Sequence, residues 1–125
     1  MSQLQIITLS IGLMFLTIHA TAEYLELYYL YPLLDIPVHI LGGVFVLLML
    51  HTVSKLGIIR TVHATSGFFI VTIIILLLAW EVFGVVRYGG FKPDFITDTS
   101  LDILFGILGC IIGAFIYSLI QKQSS

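Results

Sequence analysis

Charge is what this chain has least of. Of its 125 residues only five are Lys or Arg and seven Asp or Glu, 10% in all, for a net charge of −2 at pH 7. So few charges cannot solvate an ordinary soluble domain, and they offer no basic surface for nucleic acid. Cysteine is reduced to Cys110, which excludes an internal disulfide and leaves the redox compartment open. G-x-S-x-G, H-E-x-x-H, C-x-x-C and phosphate-binding glycine loops are all missing, so no catalytic residue can be assigned from a motif.

What fills the chain instead is hydrocarbon, with 59% of residues hydrophobic. The runs at 6–18, 38–50, 68–80 and 103–120 each sit in a weakly charged stretch of about 17–25 residues, the length that crosses a bilayer. The reading is all-α: one polytopic domain over residues 1–125, a four-transmembrane-helix bundle with helices near 4–20, 36–53, 61–86 and 99–121. The N-terminus lacks the basic region of a cleaved signal peptide, so the first span is expected to stay. Carried on as one helix to Tyr31, that span would be ~42 Å long, so its tyrosine-rich end belongs in or above the interface. Pro32 and Pro37 bracket the turn into the second span, and Gly89, Gly90 and Pro93 mark the loop before the fourth. Lys55, Arg60 and Lys122 lie on the side of the termini, against Arg87 and Lys92 on the other. The positive-inside rule therefore places both termini in the cytoplasm.

The polar residues are not scattered. Successive spans alternate direction, so the start of the second, the end of the third and the start of the fourth share one membrane face. That topology gathers Asp35, His39, Trp80, Glu81, Asp98 and Asp102, with Arg87 at the rim. In the fourth span Asp98, Asp102, Gly106, Gly109 and Gly113 fall within roughly 80° of arc, which puts two carboxylates above a strip without side chains. Such a strip admits a second helix at close range. In the second span Asp35, His39, Gly42 and Gly43 repeat the arrangement. Ionisable residues at membrane depth are candidate functional residues.

Each has a plainer reading. Asp98 suits an N-cap, Thr99-Ser-Leu-Asp102 fits a capping box, and Asp35 suits a cap with Pro37 in the first turn. Trp80 fits a belt anchor, while Arg87 and Lys92 fit side chains that snorkel or grip an anionic headgroup. Glu81 has no cap to explain it, near a helix end where the dipole opposes it, and pairs most simply with Arg87 or His39. His51 and His63 belong to the opposite face as interface residues. His39 and His51 stand ~120° apart on their helix, which disfavours haem ligation.

The motifs together resemble the VanZ-like family of small bacterial membrane proteins and a related uncharacterised branch. Asp35-Ile-Pro-Val-His39 matches the family's Asp-x-x-x-His, Glu81 its acid near the end of the penultimate helix, and Asp102, Gly109 and Gly113 its closing helix. Trp80-Glu81 and Asp98-Thr-Ser-Leu-Asp102 look like the related branch. Ile36, Gly84 and Gly106 stand where the family often carries polar residues. The resemblance implies a multi-pass protein of the bacterial plasma (inner) membrane, with a role in the cell envelope or in tolerance of lipoglycopeptides such as teicoplanin.

Four functions stay open. The first is binding of a polar lipid headgroup, a cell-wall precursor or a cation at the extracytoplasmic carboxylate–histidine cluster. The second is a membrane hydrolase or transferase acting on a lipid-linked substrate, with Asp35, His39, Glu81 and Asp102 holding a divalent cation. The third is a proton or cation path, which the glycines and aliphatics deeper in the bundle disfavour; the fourth is a structural subunit. Membrane lipids are the expected partners, and the glycine strips leave room for a homodimer. Whether the chain is an enzyme is not fixed by the sequence.

Overall fold

A computed structural model describes residues 1–58, 67–91 and 93–125. The expected start of the third span at 61, with Arg60, His63 and Lys92, lies outside the described residues. The described chain is helical: α1 (Gln3–Tyr24), α2 (Leu27–Leu30), a 3₁₀ turn (Pro32–Leu34), α3 (Asp35–Lys55), α4 (Gly67–Tyr88) and α5 (Phe95–Ser124). Four of these are long and apolar enough to cross a membrane, and the chain reads as a multi-pass membrane protein. Large apolar side chains such as Leu13, Ile75, Phe83 and Ile111 stand exposed around the bundle, which is the ordinary state of a surface bathed in lipid tails.

Local chemistry fixes the helix ends. The Ser2 hydroxyl accepts from the Gln5 amide at 3.2 Å, and the Gln5 side chain accepts from the Ser2 amide at 2.7 Å, so a capping box starts α1. The helix does not continue to Tyr31. Glu26 takes a left-handed φ of 54° and turns the chain into α2, and the Pro32 turn feeds α3 without a break. At the far end of α3, Gly57 adopts φ 75°. Its amide and that of Ile58 donate to Ser54 and Val53 at 3.1 and 3.2 Å, the paired bonds of a Schellman stop.

The bundle is built on α3 and α5, which run parallel. Contacts advance together along both: Ile40 meets Gly109, Gly43 meets Gly106 and Cys110, Val44 and Leu47 meet Gly113, and His51 stacks on Tyr117. A Cβ on Gly43 would collide with the carbonyl of Gly106, and one on Gly109 with the carbonyl of Ile40. The two backbones therefore touch with nothing between them. The Cys110 thiol donates to the Gly43 carbonyl at 3.4 Å in the same layer. Antiparallel α1 completes this unit. Leu4, Val44, Leu48 and Ile120 form its core, with Leu48 wholly enclosed, and Thr8 and Thr52 join hydroxyls at 2.9 Å.

Helix α4 is attached differently. Its span is the least enclosed of the four, 6% of the window being buried against 22–33% in the others. It docks through Ile73, Leu76 and Leu77 against Leu47, Leu50 and Cys110.

If the glycine contact sets the fold, Gly109→Ala and Gly43→Ala should destabilise the protein by about 2–3 kcal/mol or more, the cost of forcing atoms into a packed contact. Gly84→Ala should be neutral, since no atom within 4 Å would meet its Cβ. Unfolding titrations in mixed micelles would measure both.

Candidate functional site

The register of the glycine contact decides which polar groups meet. His39 stands one turn before Gly43 and Asp102 one turn before Gly106, so locking those glycines together levels the imidazole with the carboxylate. Nε2 of His39 lies 3.4 Å from Oδ1 of Asp102 and 3.3 Å from Oδ1 of Asp35, one turn earlier on its own helix. Asp35, His39 and Asp102 each offer a ligand atom, and these three atoms lie within 4.8 Å of one another. Asp102 is 8% exposed. From α4, Oε1 of Glu81 approaches the other ring nitrogen, Nδ1 of His39, at 4.0 Å.

Neither aspartate of the cluster is a helix cap. Asp35 has helical dihedrals of −60° and −35° and is the first residue of α3, whose N-cap is Leu34. Its carboxylate turns to the histidine instead. The N-cap of α5 is Asp94, so Asp98 lies inside the first turn, where its amide donates to the Asp94 carbonyl at 2.9 Å. The cap readings of Asp35 and Asp98 are therefore corrected: a 3₁₀ turn leads into α3, and α5 begins four residues earlier than the sequence suggested. Asp98 is half-buried and is not one of the three converging ligands.

Three carboxylates gather around one imidazole, while Arg87 at the rim pairs with Glu23. Nε2 can present at most one proton to two aspartates. Carboxylates held this close at membrane depth repel one another, and a shared proton or a bound cation would relieve that repulsion. For a cation the arrangement is ordered. Neutral His39 would ligate through Nε2 beside Asp35 and Asp102, and Nδ1–H would point at Glu81, the carboxylate–histidine–metal relation seen around many metal centres. Of the four expected metal ligands, three converge and the fourth stands behind the histidine.

A second polar network adjoins the first, and sequence reasoning did not find it. Glu23, at the end of α1, accepts from the Tyr88 hydroxyl at 2.6 Å and pairs with Arg87 at 2.8 Å. Nε2 of His19 lies 3.4 Å from the same carboxylate, and its Nδ1 lies 2.8 Å from the Tyr28 hydroxyl. Burial raises the Tyr28 pKa, and the negative charges of Asp35 and Glu23 raise it further, so the phenol keeps its proton and can donate to His19. Trp80 packs on this network as well as facing lipid. Its ring centroid lies 5.0 Å from that of His19 and 5.8 Å from that of Phe15. Arg87 thus serves Glu23 rather than Glu81. Two acids and a histidine within about two turns at the end of an apolar helix were the available signal. His51 lies at the opposite end, stacked 3.8 Å above Tyr117.

Comparison with known proteins gives no match to any family model, to any curated protein or to any solved structure.

The crowding of carboxylates has a measurable consequence. With divalent metal chelated, Asp102→Asn should leave the protein at least as stable as the parent, and more stable by about 1 kcal/mol where the mutual repulsion is fully developed. His39→Ala, which removes the imidazole that faces all three carboxylates, should cost about 3 kcal/mol. Thermal unfolding in the presence of EDTA would show the opposite signs.

Proposed function

We propose that this protein binds a cation, and through it the polar part of a lipid-linked ligand, at the Asp35–His39–Asp102 cluster on the extracytoplasmic face of the plasma membrane. The observation that carries the reading is the convergence of three ligand atoms within 4.8 Å from two parallel helices, where carboxylates outnumber the imidazole. Carboxylates grouped around an imidazole at membrane depth attract cationic ligands first. Three protein ligands leave coordination positions open to water or to phosphate or carbonyl oxygens. Lys55 and Lys122 stand at the opposite end of the helices from the cluster, and with Arg60 they favour a cytoplasmic position for the termini. The resemblance of Asp35-x-x-x-His39, Glu81 and the Asp102–Gly113 helix to the VanZ-like pattern adds a bacterial envelope setting, with lipoglycopeptide tolerance as the phenotype to examine.

A second reading, a metal-dependent hydrolase or transferase acting on a lipid-linked substrate, is favoured by those same open positions. A cation held by an Asp–His–Asp set could activate a bound water there. On either reading the ligand would reach the cluster past Asp35, whose side chain is 36% exposed and the most open of the four.

The test uses Mn²⁺ as probe, with paramagnetic resonance and native mass spectrometry of the protein in nanodiscs. One Mn²⁺ per chain is expected, lost in Asp102→Asn and His39→Gln and kept in His51→Gln. A retained lipid without metal, lost in the same variants, would replace the cation with a headgroup. Bare protein throughout would overturn the proposal and leave the carboxylates as structural pairs.

A further inference from the structure

The two halves of the cluster are held with unequal firmness. Asp35, His39 and Asp102 sit on α3 and α5, whose backbones touch at Gly43, Gly106 and Gly109. Glu81 rides on α4, whose span is 6% buried. Along its inner half α4 is kept in place by Ile73, Leu76 and Leu77, and lipid tails compete for such aliphatic contacts almost as well as protein does. Along its outer half the contacts are of another kind. Trp80 leans on His19 and Phe15, and nearly two turns past Glu81 the helix ends in Arg87 and Tyr88, both fastened to Glu23 of α1. The Glu23 side chain is 15% exposed while that of Arg87 is 51% exposed, so one carboxylate anchored on α1 gathers two groups that reach it from the rim, each by a charge-assisted hydrogen bond.

We propose that Glu23 is a latch: by holding Arg87 and Tyr88 it docks the outer half of α4 onto α1 and so sets how closely Glu81 approaches Nδ1 of His39. The 4.0 Å separation of Glu81 and His39 is longer than a hydrogen bond. A small inward movement of α4 would close it, and an outward one would leave His39 without its rear partner and open a lateral path from the lipid to the cluster. Glu23 touches no ligand in this scheme. It is a positioning residue that acts through α4 and Glu81, and the part of the inference that concerns affinity rests on the cation reading above.

Trp80, the only tryptophan, reports the docking of α4 without any metal. Quenching of its fluorescence by brominated lipids should rise in Glu23→Gln and Arg87→Gln, and stay near the parent value in Arg87→Lys, which preserves the ion pair. In Mn²⁺ titrations Glu23→Gln should weaken binding about five- to tenfold in the parent background and have little effect in a Glu81→Gln background, the mark of coupling through Glu81. Unchanged Trp80 quenching in Glu23→Gln would overturn the latch. Increased quenching with an equal loss of Mn²⁺ affinity in both backgrounds would overturn the positioning role and make Glu23 a general support of the fold. A parent protein that binds no Mn²⁺ would remove the cation reading alone, and the latch would then stand or fall on the Trp80 measurement.

Discussion

Two backbones meeting without side chains between them is the constraint on which the rest of this structure depends. In water, helices associate because burying apolar surface is favourable; in a bilayer that term largely vanishes, because lipid tails are as apolar as leucine. What remains is close packing, and α3 and α5 pack at the limit, with no room for a methyl group at Gly43 or Gly109. Contact this close admits little sliding. A shift by one turn would drive Ile40 or Leu47 into a space that holds only a glycine. The register is thus fixed sterically, and the polar residues one turn above it are brought level as a consequence.

That consequence has a cost which points to its use. Had the residues above the glycines been apolar, the helices would pack as well and the bundle would be more stable. Instead, Asp35 and Asp102 share one nitrogen of His39, with Glu81 behind it. One imidazole faces all three, and Arg87, at the same end of the bundle, is tied to Glu23. Like charges held this close at membrane depth are expensive, and a shared proton or the proposed cation would offset that cost.

Much of this was legible beforehand. Four apolar runs and their alternation were enough to place Asp35, His39, Glu81 and Asp102 at one face, since topology alone determines depth. The glycines of α5 announced a close contact, though not that α3 would supply the other side, and the strip that left room for a second chain is covered within this one. The lateral arrangement was not legible. Sequence fixes how deep a residue lies on its helix, not which neighbour it faces, so of the two partners expected for Glu81, His39 stands beside it whereas Arg87 pairs with Glu23. The network of His19, Glu23 and Tyr28 was missed for a related reason: α1 carries few polar residues, and its exit bends at Glu26 to lay Tyr28 over His19. The caps were misread because Pro32 starts a 3₁₀ turn that runs straight into α3, and because α5 begins at Phe95. Helix ends are set by a few backbone angles that composition does not reveal.

The contrast between α4 and its neighbours follows from the same solvent argument. A helix with no glycine seam and an almost wholly aliphatic surface gains little from protein over lipid, so its position must be specified by its few polar groups. In α4 those include Glu81, Arg87 and Tyr88, and two of the three are fastened to one carboxylate on α1. Polar contacts therefore do for α4 what close packing does for α3 and α5. They differ in one respect: a steric seam either fits or does not, whereas a hydrogen-bonded clamp can exchange partners with water or with a headgroup at the rim. The cluster thus has one wall set by packing and another set by such a clamp, and only the second can shift while the glycine seam stays closed.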